Sequence, residues 1–380
     1  MTVRTTLVAA TAVALSVALA GPAFAAAPAR GGHDATRKAI EAAVKDGVPG
    51  VTAEARTGHR VWSATAGVGN LGTGKPRSAH DRYRVGSITK TFVSTVVLQL
   101  EAEGRLSLDD TVEKWLPGVV RGNGHDGGAI TLRALLNHTS GIFNYTADAE
   151  FRRTYFEKDG FFEHRYDTKS AQDLVDIAMS HKPDFAPGTS WKYSNTNYVL
   201  AGMVIEKATG RPYGDEIRER VIRPLHLDAT SVPGTRATVP RPSSRAYSKL
   251  AETITGPTYD VTEMNPSAAS SAGGMISDNA DLNRFYSALL KGRLLPPEQL
   301  AEMRTTVTDA AHPNAGYGLG LMELKLSCGV GVWGHDGGIH GSSSVAVTTA
   351  DGRHSLSFNF NGDWSGDALA VVEAEFCGKK

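Results

Sequence analysis

An apolar stripe with a helical period is the clearest pattern in the chain. Between Ser87 and Glu103, large hydrophobic residues recur every four positions, and two valines widen the stripe. This spacing places them on one face of an α-helix. The pattern therefore predicts a helix from Ser87 to Glu103, which Gly104 ends. The residues of the stripe are Ile88, Phe92, Val93, Val96, Val97 and Leu100.

The two ends of the chain share a different pattern, in which short apolar runs are bounded by turn residues. Val51 to Val68 alternates like two strands around a turn at Gly58. Asp351-Gly352 is a strong hairpin turn between two later runs. Helical spacing flanks the strands at both ends. The predicted strands lie at 51–68, 328–333, 344–349 and 355–361, and the predicted terminal helices at 36–45 and 367–376.

Short helical pieces broken by Gly and Pro occupy the middle of the chain, roughly from 105 to 256. The clearest lie at 197–207 and 214–222. Strands at both ends with helices between them predict an α/β (α+β) fold. One antiparallel sheet is built from both termini and flanked by the terminal helices. A catalytic cleft is expected between this sheet and the mainly helical region.

The first 25 residues have the pattern of a secretory signal peptide. Arg4 supplies a positive start, Leu7 to Ala20 is a short apolar run, and Ala23-Phe24-Ala25 fits the small-x-small cleavage rule. A signal peptide is therefore predicted at 1–25 and a single domain at 26–380. The mature protein is expected to be secreted (extracellular). No later stretch of the sequence is long and apolar enough to cross a bilayer.

Composition and charge argue against several kinds of partner. The 380 residues include 40 Lys plus Arg and 40 Asp plus Glu, so no charge excess favours nucleic acid or an acidic membrane surface. Neither GxSxG nor HExxH occurs, and His335 and His340 lack the accompanying cysteines or acidic cluster of a metal site. No nucleic acid, metal or cofactor is therefore expected.

The chain has two cysteines, Cys328 and Cys377. Export to an oxidising compartment favours a disulfide between them. It would close a loop of about 50 residues, worth roughly 4 kcal/mol in the chain-entropy model. Two buried free thiols are the alternative.

Ser87 and Lys90 are the first candidates for chemistry, because residues three apart share one face of a helix. A serine needs a base to become a nucleophile, and a lysine supplies one when apolar surroundings lower its pKa. The apolar run after Lys90 offers such surroundings. The alternative is a capping serine beside a lysine that extends to solvent.

Two further segments carry candidate groups. In the segment WKYSNTN, Tyr193 is a candidate proton shuttle and Asn195 a candidate positioning group. The alternative is a helix-capping cluster, because Ser, Asn and Thr are common at helix starts. His335 and Gly337 offer an imidazole and a bare backbone at the end of a strand. A glycine-rich hairpin corner is the alternative there.

The candidate residues form three short motifs that follow one another along the chain. They are Ser87-x-x-Lys90, Tyr193-x-Asn195 and His335-x-Gly337. In this order they resemble the serine penicillin-recognising hydrolases. The likeness is to the branch with class C β-lactamases, serine D-alanyl-D-alanine carboxypeptidases, D-aminopeptidases and related esterases. Segments such as LRALLNHTSGI and GYGLGL extend it over nearly all of the mature chain. The resemblance implies a β-lactamase/transpeptidase-like fold.

The resemblance also implies a role for each residue. Ser87 would accept the acyl group. Lys90 and Tyr193 would share the removal of its proton, and Tyr193 would return a proton to the leaving group. Asn195 would hold Lys90 or the substrate amide. His335 would lie beside Tyr193 and support it. The secreted carboxypeptidases of the family also have one cysteine before the His-x-Gly strand and one near the C-terminus, which supports the disulfide.

Substrate contacts are expected along the strand of the third motif. The backbone N–H groups of Ser87 and Gly338 would form the oxyanion hole, beside Gly337. The carboxypeptidases grip a substrate carboxylate with an arginine and two threonines. Here Met322 replaces the arginine, and Asp336 and Gly338 replace the threonines. A substrate carboxylate would meet repulsion, unless Asp336 points to solvent, which is the alternative.

Loss of that clamp favours a secreted D-stereospecific amidohydrolase or D-peptidase. It would form an acyl-enzyme and cleave amide, peptide or ester bonds of small peptide or D-aminoacyl substrates. Ala268 stands where the carboxypeptidases have a tryptophan, so a roomier acyl pocket is expected. The alternatives are a D-alanyl-D-alanine carboxypeptidase acting on peptidoglycan peptides, an esterase of this fold, and a non-catalytic penicillin-binding protein. β-Lactams are candidate covalent acylators of Ser87.

Overall fold

Strands from both ends of the chain meet in one sheet. The computed structural model describes residues 32–250, 255–308 and 314–378, so the predicted signal peptide at 1–25 lies outside the described residues. The strands are β1 (Gly50–Thr57), β2 (Arg60–Gly67), β3 (Tyr83–Arg84), β4 (Arg121–Gly122), β5 (His125–Asp126), β6 (Tyr247–Ser248), β7 (Tyr259–Asp260), β8 (Ile276–Ser277), β9 (Val307–Thr308), β10 (Ala315–Tyr317), β11 (Met322–Lys325), β12 (Gly331–Ile339), β13 (Ser342–Thr349) and β14 (His354–Phe360).

Eight of these strands form the central sheet, in the order β2-β1-β14-β13-β12-β11-β10-β9. Every neighbouring pair is antiparallel. The predicted turns fall where expected, since Gly58 separates β1 from β2 and Asp351-Gly352 separates β13 from β14. The predicted antiparallel sheet built from both termini is therefore confirmed.

Helices cover both faces of the sheet. The first and last pack together on one face, where Ile40, Phe358 and Val371 share a core. No described helix meets the length and hydropathy needed to cross a membrane. The helices are α1 (Asp34–Lys45), α2 (Thr89–Ala102), α3 (Val112–Trp115), α4 (Leu132–Leu136), α5 (Ala149–Tyr155), α6 (Lys158–His164), α7 (Ala171–Met179), α8 (Asn195–Thr209), α9 (Tyr213–Ile217), α10 (Ser270–Gly273), α11 (Asn279–Leu290), α12 (Pro297–Met303) and α13 (Ala368–Cys377).

The helical region ends earlier than the sequence predicted. Helices α3 to α9 are followed by a π-helical segment, Arg218–Ile222, so the helix predicted at 214–222 is split in two. Beyond it the described chain has no helix up to residue 250, rather than continuing helical to about 256. Several prolines between 224 and 242 explain the change, because proline removes a backbone donor and breaks a helix.

The strand that carries His335 also differs from its prediction at 328–333. It begins at Gly331 and runs on to Ile339, so His335 lies inside the strand and not at its end. Gly337 and Gly338 pair with residues of β13 as ordinary ladder positions. The corner instead falls at Gly341, whose φ of 70° is one that glycine adopts easily.

The disulfide between Cys328 and Cys377 is present in the structure. The two Cα atoms are 5.7 Å apart, and no free cysteine remains. The bond ties the end of α13 to the segment that leads into β12. It therefore links the C-terminus to the strand that carries His335.

Candidate active site

Ser87 lies on a short 3₁₀ turn, Gly86–Ile88, directly before α2. The regular helix thus begins at Thr89, two residues later than predicted. Gly86 has a φ of 54°, and a Cβ there would lie 2.8 Å from the backbone nitrogen of Gly338. Glycine at this position therefore lets the turn press against β12. Ser87 itself is half-buried and lines a cavity of about 240 Å³.

Lys90 is fully buried in the first turn of α2 and has three polar neighbours. Its Nζ lies 2.9 Å from Ser87 Oγ, 2.8 Å from Asn195 Oδ1 and 2.7 Å from the carbonyl oxygen of Ala272. Burial lowers the pKa of Lys90 well below its ordinary value, and the charge of Asp336 opposes this shift. Lys90 is therefore not a lysine that extends to solvent.

These three neighbours suit a neutral amine. The carbonyl of Ala272 and the Oδ1 of Asn195 are acceptors, so two N–H groups of Lys90 point at them. The remaining position on Nζ faces the Ser87 hydroxyl. In the neutral amine that position is a lone pair, which accepts the hydroxyl hydrogen of Ser87. The geometry thus aligns a base with the proton that the nucleophile must lose.

Asn195 is the first residue of α8, and its side chain fixes Lys90. Its Oδ1 accepts from Lys90, while its Nδ2 donates to Thr146 Oγ1 at 3.2 Å, which sets the orientation of the amide. Asn144 Oδ1 accepts the backbone N–H of Asn195 at 3.1 Å. Ser194 makes no capping bond with its side chain. This segment therefore does more than cap a helix.

Tyr193 packs beside the Ser87–Lys90 pair. The Lys90 Nζ lies 4.8 Å from the centroid of its ring. Burial raises the pKa of Tyr193 well above its ordinary value, although a hydrogen bond with Ser87 opposes the shift. The phenol therefore keeps its proton at neutral pH and suits a proton donor better than a base. The ring of His138 packs on the ring of Tyr193, with 4.3 Å between the two centroids. The Nδ1 of His138 accepts a hydrogen bond from the backbone N–H of Ser194.

His335 does not reach Tyr193 directly. Their ring centroids are 6.5 Å apart, and Tyr317 makes an edge contact with each ring. The Nδ1 of His335 lies 2.5 Å from the carbonyl oxygen of Asp336, so Nδ1 carries the hydrogen and donates it to that oxygen. The other ring nitrogen, Nε2, then accepts a hydrogen bond from the Tyr317 hydroxyl at 2.9 Å. Burial lowers the pKa of His335 to about 4, which keeps the imidazole neutral as this arrangement requires. His335 therefore acts on Tyr193 through Tyr317.

Gly337 and Gly338 let β12 approach the turn of Ser87 backbone to backbone. A Cβ on Gly337 would lie 2.0 Å from the carbonyl oxygen of Val85 and 2.9 Å from the backbone nitrogen of Ser87. Gly338 lines the cavity together with Ser87. Both backbone groups of the predicted oxyanion hole thus belong to residues on the wall of one cavity.

We expect Gly337→Ala to destabilise the protein by about 1–3 kcal/mol, because the new methyl group must displace backbone and not a flexible side chain. The same displacement moves the Ser87 turn, so kcat/KM should fall as well. Gly338→Ala is the matched control, since a Cβ there meets no atom within 4 Å. Thermal unfolding of both variants checks the prediction, and equal stabilities would contradict it.

The structure separates the three residues that mark the departure from the carboxypeptidases. Ala268 lines the cavity, whereas Met322 and Asp336 are not among the described residues of its wall. Met322 begins β11 and pairs with Gly334, while the side chain of Asp336 is 70% exposed. Asp336 therefore matches the alternative in which it points to solvent.

Asp336 still acts on the site through its charge. Its carboxylate raises the pKa of Lys90, so removing the charge favours the neutral amine further. We expect Asp336→Asn to move the acidic limb of the kcat/KM profile to lower pH. The effect should shrink at high ionic strength, because the group is exposed. A pH titration at two salt concentrations tests this, and a displacement to higher pH would contradict it.

Beyond Ser87, aromatic side chains from α5, α6 and their flanks line the cavity. Such a wall fits a flat apolar group. Sequence reasoning missed this wall, although the density of aromatic residues between 151 and 166 was a usable signal. It also missed Tyr317 and His138, which lie in the GYGLGL and LRALLNHTSGI segments. The aromatic residues of the wall are Tyr145, Phe151, Tyr155, Phe156 and Phe161.

Fold and site together define a β-lactamase-type serine hydrolase, and comparison with known proteins agrees. The Beta-lactamase family model matches residues 36–370, so the chain belongs to that family. It is similar to the crystal structure of a D-stereospecific amidohydrolase from Streptomyces sp., at 62% identity and a TM-score of 0.88, over 92% of this chain and 100% of the other.

Two further proteins are similar to this chain at lower identity. The D-amino acid amidase from Ochrobactrum anthropi SV3, in complex with L-phenylalanine amide, is 28% identical with a TM-score of 0.77, over 90% of this chain and 97% of the other. Penicillin-binding protein 4* of Bacillus subtilis (strain 168) is 28% identical over 325 residues, which is 82% of this chain and 68% of the relative.

Proposed function

We propose that the protein is a D-stereospecific amidohydrolase that cleaves amide or ester bonds of D-aminoacyl substrates through an acyl-Ser87 intermediate. The observation that carries the proposal is the contact of buried Lys90 with Ser87 at a cavity with an aromatic wall. The similarity to the Streptomyces amidohydrolase supports the same substrate class.

The chemistry follows from the protonation states. Ser87 Oγ attacks the substrate carbonyl as its proton passes to the neutral amine of Lys90. The N–H groups of Ser87 and Gly338 stabilise the oxyanion. When the C–N or C–O bond breaks, the protonated phenol of Tyr193 gives its proton to the leaving group and regains one from Lys90. Water then hydrolyses the ester on Ser87, with the same groups acting in reverse.

A panel of four substrates tests the proposal. D-phenylalanine amide should be hydrolysed with the highest kcat/KM, followed by L-phenylalanine amide, acyl-D-Ala-D-Ala and a chromogenic cephalosporin. Comparable rates for D- and L-phenylalanine amide would show that the enzyme is not specific for the D-enantiomer. A preference for acyl-D-Ala-D-Ala would favour a carboxypeptidase, and fast turnover of the cephalosporin a β-lactamase.

Export of the protein is a separate proposal. It rests on the signal-peptide pattern of residues 1–25. N-terminal sequencing of the protein recovered from the culture medium should find a start after Ala25. Recovery of an uncleaved chain from the cells alone would contradict it.

A further inference from the structure

One charged side chain lies on the wall of the cavity that Ser87 lines. Of the described residues on its wall, Arg165 alone carries a charge at neutral pH, because burial lowers the pKa of His340 to about 4. Arg165 follows the last residue of α6. Its carbonyl oxygen accepts the backbone N–H of Asn265 at 2.7 Å, and Asn265 lines the same cavity. The backbone of Arg165 is thus fixed at the cavity wall.

No carboxylate among the described residues pairs with this guanidinium. Its neighbours are the rings of Phe162 and Tyr166, whose centroids lie 5.1 Å and 4.7 Å from Cζ. The Nε of Arg165 is buried and has no hydrogen-bond partner among the described residues. Asp167, two residues further along the chain, contacts His164 instead.

Such a group is suited to bind an anion. A guanidinium is a planar fork of donors that matches a carboxylate with two parallel hydrogen bonds. The two rings that flank it are themselves 38% and 50% exposed, so they hold the guanidinium at the mouth of the cavity and leave its donors free. The surrounding aromatic wall weakens the screening by water and strengthens an ion pair inside the cavity.

The position of the cavity suits the acyl part of the substrate. Tyr193, which protonates the leaving group, is absent from the described residues of the cavity wall, whereas Ser87 and Asn195 belong to it. A group bound at Arg165 is therefore attached to the acyl side, away from the bond that breaks. This differs from the carboxypeptidase clamp, which grips a carboxylate on the leaving group.

We propose that Arg165 forms a subsite for a carboxylate on the acyl group, so that N-acylated D-amino acid amides with an acidic acyl chain are preferred substrates. The subsite proposal depends on the proposed function in one respect, which is that the bond cleaved is the amide of a D-amino acid. The expected probes are N-succinyl-D-phenylalanine and its succinamide analogue, which has the same shape and lacks the distal charge.

Isothermal titration calorimetry on the full protein tests the subsite without turnover. Wild type should bind the succinyl compound about tenfold or more tightly than the succinamide, since hydrogen bonds to charged groups are the stronger kind. Arg165→Gln should abolish the difference and Arg165→Lys should keep part of it. Arg152→Gln is the matched control, because Arg152 also lies over an aromatic ring, that of Phe156, but is exposed and outside the cavity.

The outcomes separate this proposal from the proposed function. Equal Kd values in wild type, no binding of either compound, or an unchanged ratio in Arg165→Gln would overturn the subsite, whatever the enzyme hydrolyses. An Arg165-dependent preference in a protein that does not hydrolyse D-phenylalanine amides would support the subsite and contradict the amidohydrolase. The kcat/KM ratio of the corresponding amides then measures the preference during catalysis.

Discussion

Replacing Ser87 with alanine should lower kcat/KM for D-aminoacyl amides by about 10⁴-fold or more, because no acyl-enzyme can form without its hydroxyl. Ser87 is the hydroxyl that contacts the buried amine of Lys90 at 2.9 Å. The substitution removes one oxygen from a half-buried turn, so the fold should be retained. Steady-state kinetics with D-phenylalanine amide and circular dichroism measure the two quantities.

A control serine separates this effect from a general loss of activity. Ser63 is exposed on β2, and Ser63→Ala should leave kcat/KM unchanged. Labelling by a penicillin, where it occurs in wild type, should also disappear in Ser87→Ala. Substantial activity in Ser87→Ala, or labelling that persists there, would move the nucleophile to another residue.

The second large effect is expected from Lys90→Met, which keeps the length of the side chain and removes the amine. Loss of a general base lowers rates by about 10² to 10⁴-fold. In wild type, kcat/KM should rise with pH through the pKa of Lys90, which burial places below its ordinary value. Only the neutral amine accepts the proton of Ser87, so the active form is the one that dominates at higher pH. In Lys90→Met, the rise of kcat/KM with pH should be absent.

Lys192→Met is the matched control, because Lys192 is close in sequence to Tyr193 but is exposed and paired with Asp184. It should change kcat/KM by less than about threefold, as surface ion pairs contribute little. Lys90→Arg should be as inactive as Lys90→Met, since a guanidinium stays charged. An active Lys90→Arg variant would show that a neutral amine is not required.

Local patterns in the sequence predicted the elements that carry the catalytic groups. The apolar stripe from Ile88 to Leu100 located α2 because a helical period depends only on neighbours in the chain. The spacing of Ser87 and Lys90 predicted their contact for the same reason. Asn195 joins them from 105 residues away in the sequence, and the family resemblance supplied that contact, not the periodicity.

Contacts made by long-range packing were beyond such patterns. The strands β9 to β11 are two to four residues long, too short for a period of two to show. Tyr317 reaches His335 only because β10, β11 and β12 are neighbours in the sheet. The side chains of Met322 and Asp336 lie away from the cavity for a related reason, since sheet register decides which face a residue occupies. The aromatic wall depends on how α5 and α6 dock.

Mass spectrometry of the intact protein after rapid acid quench shows which residue carries the acyl group. Wild-type protein is mixed with the ester of D-phenylalanine or of L-phenylalanine, and the adduct is mapped by peptide digestion. We expect a phenylalanyl ester on Ser87 that forms with the D-enantiomer and accumulates far less with the L-enantiomer. An adduct on any other residue, or equal labelling by both enantiomers, would contradict it.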